Sequence, residues 1–265
     1  MTAAVAILTP LLIWDNIRLE TVHYSITDKN LPEAFNGFKI VQVSDLHNNL
    51  FGENQHRLLQ KIKEENPDII AITGDLIDSE EIENSYTFVK EAVKIAPCYY
   101  VMGNHEKEIK SFYESNFKPL LKEAGVNVLE GEWAYITRGS DTLPIFGAMD
   151  LRYDAHEMFL HLHGRFKEDE FVLLLSHRPE HIWSYSECKA SLVLTGHAHG
   201  GQMRIPFTRQ GLFAPGQGLL PKYTEGVYQR GNTKMVVSRG LGNNVWPIPR
   251  VNNCYQLVSI TLNKG

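Results

Sequence analysis

Between residues 38 and 102, short apolar runs alternate with amphipathic segments, and few architectures accommodate that order. The runs 38–45, 68–73 and 98–102 are typical of buried strands, and the two segments between them have apolar residues at helical spacing. A β-α-β-α-β order predicts neighbouring parallel strands joined by right-handed crossovers. In open α/β sheets, ligands bind beyond the carboxyl ends of such strands, so functional residues are expected directly after each run.

The second half of the chain has apolar runs that follow one another more closely, which indicates antiparallel or mixed strand pairing. These runs cover residues 126–129, 134–137, 143–146, 171–176, 191–195, 235–238 and 256–261. The sequence contains no repeat, low-complexity tract or long linker. We therefore expect residues 31–265 to form a single domain, preceded by an apolar segment and lead-in over residues 1–30.

The N-terminal stretch from Thr2 to Trp14 is uncharged and apolar. It is shorter than the roughly 20 residues that span a bilayer, and Pro10 interrupts it. A secretory signal is not predicted, because a positively charged start and a small-residue cleavage site are both missing. The stretch could be an interfacial anchor, the remnant of a longer signal-anchor or a segment packed on the domain. We expect a cytoplasmic or membrane-associated protein, with peripheral membrane association through this terminus as one alternative.

The chain of 265 residues has a formal charge of −5 and no block of lysine and arginine. Proteins that bind nucleic acid take most of their affinity from clustered positive charge, so no nucleic-acid partner is expected. The three cysteines, Cys98, Cys188 and Cys254, are too widely spaced for a disulfide framework or a thiolate metal site. A metal ion would therefore have to be bound by imidazole and carboxylate groups, and the chain has 11 histidines.

Polar residues follow the predicted strands in five short motifs. These motifs are Asp45-Leu46-His47, Gly74-Asp75-Leu76-Ile77-Asp78, Gly103-Asn104-His105-Glu106, Ser176-His177 and Gly196-His197-Ala198-His199. Any one of them could be a surface turn, but turn chemistry does not explain five at one edge of one sheet. Glycine before Asp75, Asn104 and His197 would allow the backbone to turn tightly and to approach a bound ion closely.

The residue types in these motifs suit borderline divalent ions such as Mn, Fe(II), Zn or Co, which accept imidazole, carboxylate and amide ligands. The candidate ligands are Asp45, His47, Asp75, Asn104, His177, His197 and His199. This set is too large for one ordinary site. If one carboxylate is shared, the ligands divide between two ions about 3.5–4 Å apart, a spacing used to stabilise the attacking and leaving oxygens of an in-line displacement.

The order D-x-H, G-D-x-x-D, G-N-H-[D/E], H and G-H-x-H resembles that of the calcineurin-like metallophosphoesterase superfamily, across residues 39–261. The later stretch TGHAHGGQMRIPF, with SRGLG at 238–242, is similar more narrowly to the bacterial YkuE/YaeI-like phosphodiesterase group. The resemblance implies a four-layer αββα sandwich of two mixed β-sheets flanked by helices. It also implies that the domain is the catalytic domain of a metal-dependent phosphoesterase.

The resemblance also assigns the ligands to two ions, with one shared residue: Asp45, His47 and His199 for the first ion, Asn104, His177 and His197 for the second, and Asp75 as the bridge. A carboxylate suits the bridging position because it has two oxygens, whereas the amide of Asn104 has one. Two ions of Mn, Fe or Zn would lower the pKa of a bridging water, and the resulting hydroxide would attack phosphorus.

His105 is the predicted general acid. It follows a ligand without being needed in either metal shell, and imidazole titrates near neutral pH, where a leaving oxygen needs a proton. Asp78 resembles the family residue that orients this histidine and stabilises its charged form. Two alternatives stay open: Asp78 could be the N-cap of the following helix, and His105 could simply hydrogen-bond the backbone.

Asn48, Arg204 and Arg239 are candidates for substrate binding, the two arginines because a guanidinium can bind phosphate bidentately. The expected reaction hydrolyses a phosphodiester or pyrophosphate bond of a small or lipid-linked molecule by direct attack, without a covalent enzyme intermediate. A phosphomonoesterase or a nuclease is an alternative within this class. A metal-binding sensor or membrane scaffold without turnover is an alternative from another class, although it would have no need of a general acid. We expect a monomer.

Overall fold

A computed structural model describes residues 15–151, 155–208, 210–243 and 248–265 of the chain. The apolar stretch from Thr2 to Trp14 lies outside these residues, and so does its predicted role as an anchor. Among the helices of the described ranges, none combines the length and the apolar character that crossing a membrane requires.

Each apolar run that the sequence indicated as a strand overlaps a strand of the structure. In chain order the described strands are β1 (Leu19–Asp28), β2 (Lys39–Val43), β3 (Ile69–Thr73), β4 (Cys98–Val101), β5 (Asn127–Val128), β6 (Trp133–Arg138), β7 (Asp141–Gly147), β8 (Leu173–Leu175), β9 (Leu192–Thr195), β10 (Phe213–Ala214), β11 (Gly218–Leu219), β12 (Gly226–Arg230), β13 (Thr233–Val237) and β14 (Tyr255–Lys264). The strands β1, β10, β11 and β12 were not predicted, because their sequences lack the continuous apolar runs that mark buried strands.

The helices lie mainly between the strands of the first half. They are α1 (His56–Glu65), α2 (Glu83–Ala92), α3 (Asn104–Glu108), α4 (Lys110–Phe112), α5 (Lys118–Glu123), α6 (Ala155–Leu162) and α7 (Ile182–Glu187). A π-helical turn, Tyr113–Phe117, joins α4 to α5. The helix α1 ends at Glu65, because Asn66 at its C-cap has a left-handed backbone (φ 49°) and Pro67 follows.

Twelve of the described strands form two six-stranded mixed sheets, and β10 and β11 pair separately. The first has the order β1-β14-β2-β3-β4-β5, and the second has the order β12-β13-β9-β8-β7-β6. Within the first sheet only β14 and β2 pair antiparallel, and in the second the two outer pairs are antiparallel. Parallel pairing at the centre of both sheets follows from the crossover connections that the alternating sequence pattern requires.

Three apolar layers define the architecture. The inner one joins the two sheets face to face and includes Ile40 and Ala71 of the first sheet and Leu173 and Leu194 of the second. The second layer packs α1, α2 and α5 on the outer face of the first sheet. The third packs α6 and α7 on the outer face of the second sheet. Together they give the predicted four-layer αββα sandwich.

The strand β1 belongs to the first sheet, although its residues fall in the predicted lead-in of residues 1–30. It pairs in parallel with β14 along ten residues, from Leu19 opposite Tyr255 to Asp28 opposite Lys264. The predicted boundary at residue 31 therefore does not coincide with the start of the sheet. The alternating exposed and half-buried residues of an edge strand give a weak sequence signal.

The two sheets are joined at the edge where the polar motifs lie. Nε2 of Gln42, in β2, donates to the carbonyl oxygen of Thr195 at the end of β9 (2.8 Å) and to Oγ1 of Thr73 at the end of β3 (3.0 Å). Gln42 is fully buried. Its bonds hold the carboxyl ends of strands from both sheets together, so the motifs that follow these strands converge.

Candidate metal centre

Two groups of buried ligand atoms lie beyond these strand ends. The first group comprises Asp45, His47, Asp75 and His199, and the second comprises Asp75, His177 and His197. Within each group the ligand atoms lie within 4.8 Å of one another. Asp75 is the member that the two groups share. The structure thus brings six of the seven predicted ligands into two adjoining clusters, and it places the seventh, Asn104, beside the second: its Oδ1 lies 3.2 Å from Nε2 of His177.

Several of the same positions have a strained backbone. The left-handed region holds Asp45 (φ 51°), His47 (φ 48°), Asp75 (φ 53°), His197 (φ 64°) and His199 (φ 46°). Such conformations cost about 1–3 kcal/mol for residues other than glycine, and they persist where the surroundings impose them. The cost is explained if these turns serve to aim side chains inward.

Glycines allow the strand ends to approach one another. A Cβ atom on Gly103, which precedes Asn104, would lie 2.2 Å from Oδ1 of Asp75. A Cβ atom on Gly196, which precedes His197, would lie 2.2 Å from Oδ2 of Asp45. Both distances are far below van der Waals contact, so any larger residue would push a carboxylate out of the cluster. The close approach expected at these glycines is therefore present in the structure.

In the second group, a ring nitrogen faces two oxygens, and these atoms repel one another unless a positive charge lies between them. Nδ1 of His177 donates to the carbonyl oxygen of Thr73 (2.8 Å), which leaves Nε2 facing Oδ2 of Asp75 (3.2 Å) and Oδ1 of Asn104 (3.2 Å). Burial acts to lower the pKa of His177, but the carboxylates of Asp75 and Asp45 raise it to about 10. Nε2 of His177 thus faces two oxygens at a position that suits a metal cation.

The buried carboxylates also require a positive charge nearby. Among the described residues, Oδ2 of Asp45 is a buried oxygen with no hydrogen-bond partner, and burial raises the pKa of this group. Burial also acts to raise the pKa of Asp75, but the imidazoles of His177 and His47 outweigh it and hold the pKa well below its usual range. Buried carboxylates without partners are costly unless they bind cations. The donor set of both groups therefore fits borderline divalent ions.

Two histidines are kept neutral, as metal ligands must be. Burial lowers the pKa of His197 well below its usual value, and the charges of His177 and Arg178 add to that effect. Burial likewise lowers the pKa of His199, with contributions from His47 and Arg250. Both imidazoles are therefore neutral at neutral pH, the form in which histidine binds a metal ion.

His105 lies at the open side of the clusters. Its ring is 22% exposed and stands edge-on to that of His47, with 4.9 Å between the ring centres. Its backbone N–H donates to Oδ1 of Asp75 (2.9 Å), which helps to fix the orientation of that carboxylate. The imidazole can thus be reached from solvent while remaining next to the buried ligands.

Asp78 contacts the predicted ligand His47, and it also interacts electrostatically with His105, the histidine that the resemblance suggested. Its Oδ2 lies 3.5 Å from Nδ1 of His47, and although burial opposes the shift, His47 lowers the pKa of Asp78. The helix α2 begins at Glu83 after Ile82 at the N-cap, so Asp78 is not the N-cap that was considered as an alternative. In this structure Asp78 orients a predicted ligand.

The three predicted substrate-binding residues make contacts within the fold. Nη2 of Arg204 pairs with Oε1 of Glu225 (2.5 Å), and Arg239 pairs with both Glu20 and Glu225. Oδ1 of Asn48 accepts a hydrogen bond from the backbone of Ser85 (3.0 Å), near the start of α2. Carboxylates of the fold thus neutralise both guanidinium groups, an arrangement that does not support phosphate binding by either.

Arg178 and Asp150 are neighbours of the centre that the sequence did not reveal. Nε of Arg178 donates to Oδ1 of Asp150 (2.6 Å), and its Nη1 lies 2.9 Å from Nε2 of His197. Both residues are buried. Arg178 directly follows the ligand His177, whereas Asp150 lies in the segment after β7. Only the fold brings the two residues together.

Glu106 is a further residue whose role the sequence did not reveal. Its carboxylate accepts hydrogen bonds from the backbone N–H groups of Asp75 (3.0 Å), Ile77 (3.1 Å) and Gly103 (3.0 Å). Burial and the nearby charge of Asp75 raise its pKa to about 7. Glu106 thereby ties the turn that carries Asp75 to the turn that carries Asn104.

Replacing Glu106 with alanine is expected to lower the free energy of unfolding by about 3 kcal/mol or more, because buried donors without partners cost about 1–3 kcal/mol each. Glutamine, which keeps one acceptor oxygen, should have a smaller effect. Urea unfolding of the metal-free protein measures both. Glu108→Ala, on the exposed face of the same helix, is the matched control, and a loss as large as that of Glu106→Ala would show that the hydrogen bonds do not matter.

Comparisons with known proteins agree with this geometry. Residues 38–201 match the calcineurin-like phosphoesterase family. The chain is 30% identical over 238 residues to YkuE, an uncharacterized metallophosphoesterase of Bacillus subtilis strain 168, covering 87% of this chain and 81% of that protein. It is 26% identical over 222 residues to the phosphodiesterase YaeI of Escherichia coli K12, covering 78% and 74% of the two chains.

A solved structure shows the same fold. The TT1561 protein of Thermus thermophilus superposes with a TM-score of 0.52 at 14% identity, covering 78% of this chain and 91% of that one. The sandwich, the shared carboxylate between two ligand groups and the match over residues 38–201 lead to one conclusion. The chain belongs to the calcineurin-like phosphoesterase family and is a metal-dependent phosphoesterase.

Proposed function

We propose that this phosphoesterase hydrolyses a phosphodiester or pyrophosphate bond of a small or lipid-linked molecule, with two divalent ions at the centre. The observation that carries the proposal is the position of Asp75, which belongs to both groups of ligand atoms. A carboxylate shared in this way is suited to hold two ions a few ångströms apart. That arrangement serves in-line displacement at phosphorus.

The ligands are proposed to divide as the motifs suggest. Asp45, His47 and His199 would hold one ion, and Asn104, His177 and His197 would hold the other, with Asp75 between them. When bound, two divalent ions supply the activated water and the charge neutralisation that phosphoester hydrolysis needs. The protein's own contribution is to keep His197 and His199 neutral and to fix Asp75, whose backbone N–H donates to Glu106 and whose carboxylate accepts from the backbone N–H of His105.

His105 is proposed to protonate the leaving oxygen. Its ring is partly exposed at the rim, so a departing alcohol or phosphate can reach it from the solvent side. No covalent intermediate is proposed, because the groups that converge on the centre are metal ligands and a proton donor. A phosphodiester is favoured because the similar YaeI protein carries the name phosphodiesterase.

Hydrolysis assays test the proposal directly. Purified protein is treated with a chelator, supplied with Mn(II), Zn(II) or Fe(II), and assayed with bis(p-nitrophenyl) phosphate and with p-nitrophenyl phosphate. We expect turnover that depends on the added ion, faster on the diester than on the monoester. A faster monoester reaction would contradict the diester assignment, and no turnover of either substrate with any ion would contradict the proposed reaction.

A further inference from the structure

A buried arginine contacts the second group of ligand atoms. Nη1 of Arg178 lies 2.9 Å from Nε2 of His197, and the side chain of Arg178 is only 4% exposed. The two residues follow β8 and β9, which are neighbours in the second sheet. The pairing of these strands therefore places a guanidinium group directly against a predicted metal ligand, in the interior of the centre rather than at its rim.

The contact with Arg178 determines what the imidazole of His197 can do. A guanidinium group has donors and no acceptor, so Nη1 donates and Nε2 of His197 accepts. A neutral imidazole that accepts at one ring nitrogen carries its proton on the other, and a metal ion also needs a ring lone pair. Whichever nitrogen would bind the ion, His197 can accept the hydrogen bond or bind a metal, but it cannot do both at once.

Asp150 holds the guanidinium group in place. Nε of Arg178 donates to Oδ1 of Asp150 (2.6 Å), and Nη2 donates to Oδ2 (3.3 Å). Both side chains are buried, and this carboxylate engages two of the three guanidinium nitrogens. Nη1 is the nitrogen that contacts His197, so its partner can change while the bonds to Asp150 remain.

Glu180 offers Nη1 a second acceptor. Its Oε1 lies 3.5 Å from Nη1 of Arg178, and within the described ranges its Oε2 is buried without a hydrogen-bond partner. A Cβ atom on Gly216 would lie 2.2 Å from Oε1 of Glu180, so the turn between β10 and β11 packs on this carboxylate and fixes its position. A buried carboxylate oxygen without a partner is costly, so a further bond from Arg178 would stabilise it.

We propose that Arg178 controls the affinity of the centre for its second ion. The ion and Nη1 compete for the single lone pair of His197, and ion binding transfers Nη1 from His197 to Glu180. Repulsion between the guanidinium group and a divalent cation adds to the competition. His197 belongs only to the second group of ligand atoms, so binding of the first ion is not affected in this way. This inference rests on the proposed function for the presence of a second ion.

Metal titration of the full chain tests the competition. Chelator-treated protein is titrated with Mn(II) alone and followed by calorimetry, and no substrate is present. A hydrogen bond from a charged donor changes an equilibrium constant by about 10- to 100-fold. The variant Arg178→Met/Asp150→Asn removes both charges of the pair together. We expect it to raise one of the two Mn(II) binding constants by about tenfold or more and to leave the other unchanged.

Two further variants separate the competition from a change of charge or of fold. Arg178→Lys keeps the positive charge, but an ammonium group cannot span Asp150 and His197 as a planar guanidinium does, so the same constant should rise by a smaller factor. Arg138→Met/Asp68→Asn is the matched control, because it removes an arginine–aspartate pair at the amino end of β3, and both constants should keep their wild-type values. Damage to the fold would lower metal affinity, so it cannot produce the expected rise.

Unchanged binding constants in Arg178→Met/Asp150→Asn would overturn the proposal, and so would a fall in either constant or an equal rise in both. The proposed hydrolysis would not be affected, because the titration measures no turnover. Binding of a single ion by both proteins would instead contradict the two-ion centre together with this inference.

A crystal structure of the Mn(II)-loaded wild type is an independent measurement. Nη1 of Arg178 should lie within hydrogen-bond distance of Glu180 and beyond that distance from Nε2 of His197. A hydrogen bond that persists between Arg178 and His197 beside a bound second ion would contradict the competition.

Discussion

Asp75→Ala is expected to abolish binding of both metal ions and to lower kcat/KM by at least about 10³-fold. Loss of a residue that only hydrogen-bonds to a metal ligand already lowers metal affinity or activity by about 10–100-fold, so loss of a ligand should cost more. The physical reason is the shared position of the carboxylate. Asp75 belongs to both groups of ligand atoms, so its loss removes a negatively charged ligand from each. It also removes the acceptor for the backbone N–H of His105. Metal content per chain and steady-state kinetics measure the two effects.

Asp75→Asn separates charge from shape at this position. Asparagine keeps the volume and an oxygen for the N–H of His105, but a neutral amide has only one oxygen to offer. We expect this variant to retain at most one ion. Asp169→Ala, at an exposed carboxylate of the second half of the chain, should keep the wild-type metal content and activity. Retention of two ions by Asp75→Ala would show that Asp75 is not the shared ligand.

His105→Ala should have a different signature: unchanged metal content and a kcat lowered by about 10²–10⁴-fold, the range for loss of a general acid. The effect should depend on the leaving group, since p-nitrophenolate departs without full protonation whereas an alkoxide does not. We therefore expect a smaller loss on bis(p-nitrophenyl) phosphate than on an alkyl diester. Metal analysis together with kinetics on the two substrates makes this measurement.

His163→Ala, which changes an exposed histidine after α6, is the control and should leave both rates unchanged. An equal loss on the two diesters would argue against proton donation to the leaving oxygen. Loss of metal from His105→Ala would instead show that His105 is a metal ligand. The proposed assignment of ligands and general acid would then have to change.

The ligand residues at the strand ends could be predicted from the local sequence. The motifs at Asp75, Asn104 and His197 combine ligand chemistry with glycine, and both properties are encoded within a few adjacent residues. Their position after apolar runs places each motif at the carboxyl end of a strand, where ligands bind in α/β sheets. The sequence indicated one sheet for all of these strands, but β9, which precedes His197, belongs to the second sheet. The clustering of His197 with Asp75 therefore also depends on the packing between the two sheets.

Other features depend on contacts between distant segments. Arg239 looked like a phosphate ligand because a guanidinium can bind phosphate bidentately. Its partner Glu20, however, lies 219 positions earlier in the chain. Glu106 stood inside a recognised motif, yet its bonds to the turn at residues 75–77 require β3 and β4 to be neighbours. Asp78 was matched to His105 by analogy, whereas its contact with His47 follows from the folded turn.

The sequence by itself determined the alternation of strands and helices, the strand ends at which the ligands lie and the chemistry of the centre, since each is a local property of residue type and spacing. Only the tertiary structure decided which sheet carries each ligand, which arginines are neutralised and which backbone groups Glu106 satisfies. Glu225 lies 21 positions from Arg204 and Glu20 lies 219 positions from Arg239, and no local pattern specifies such pairings.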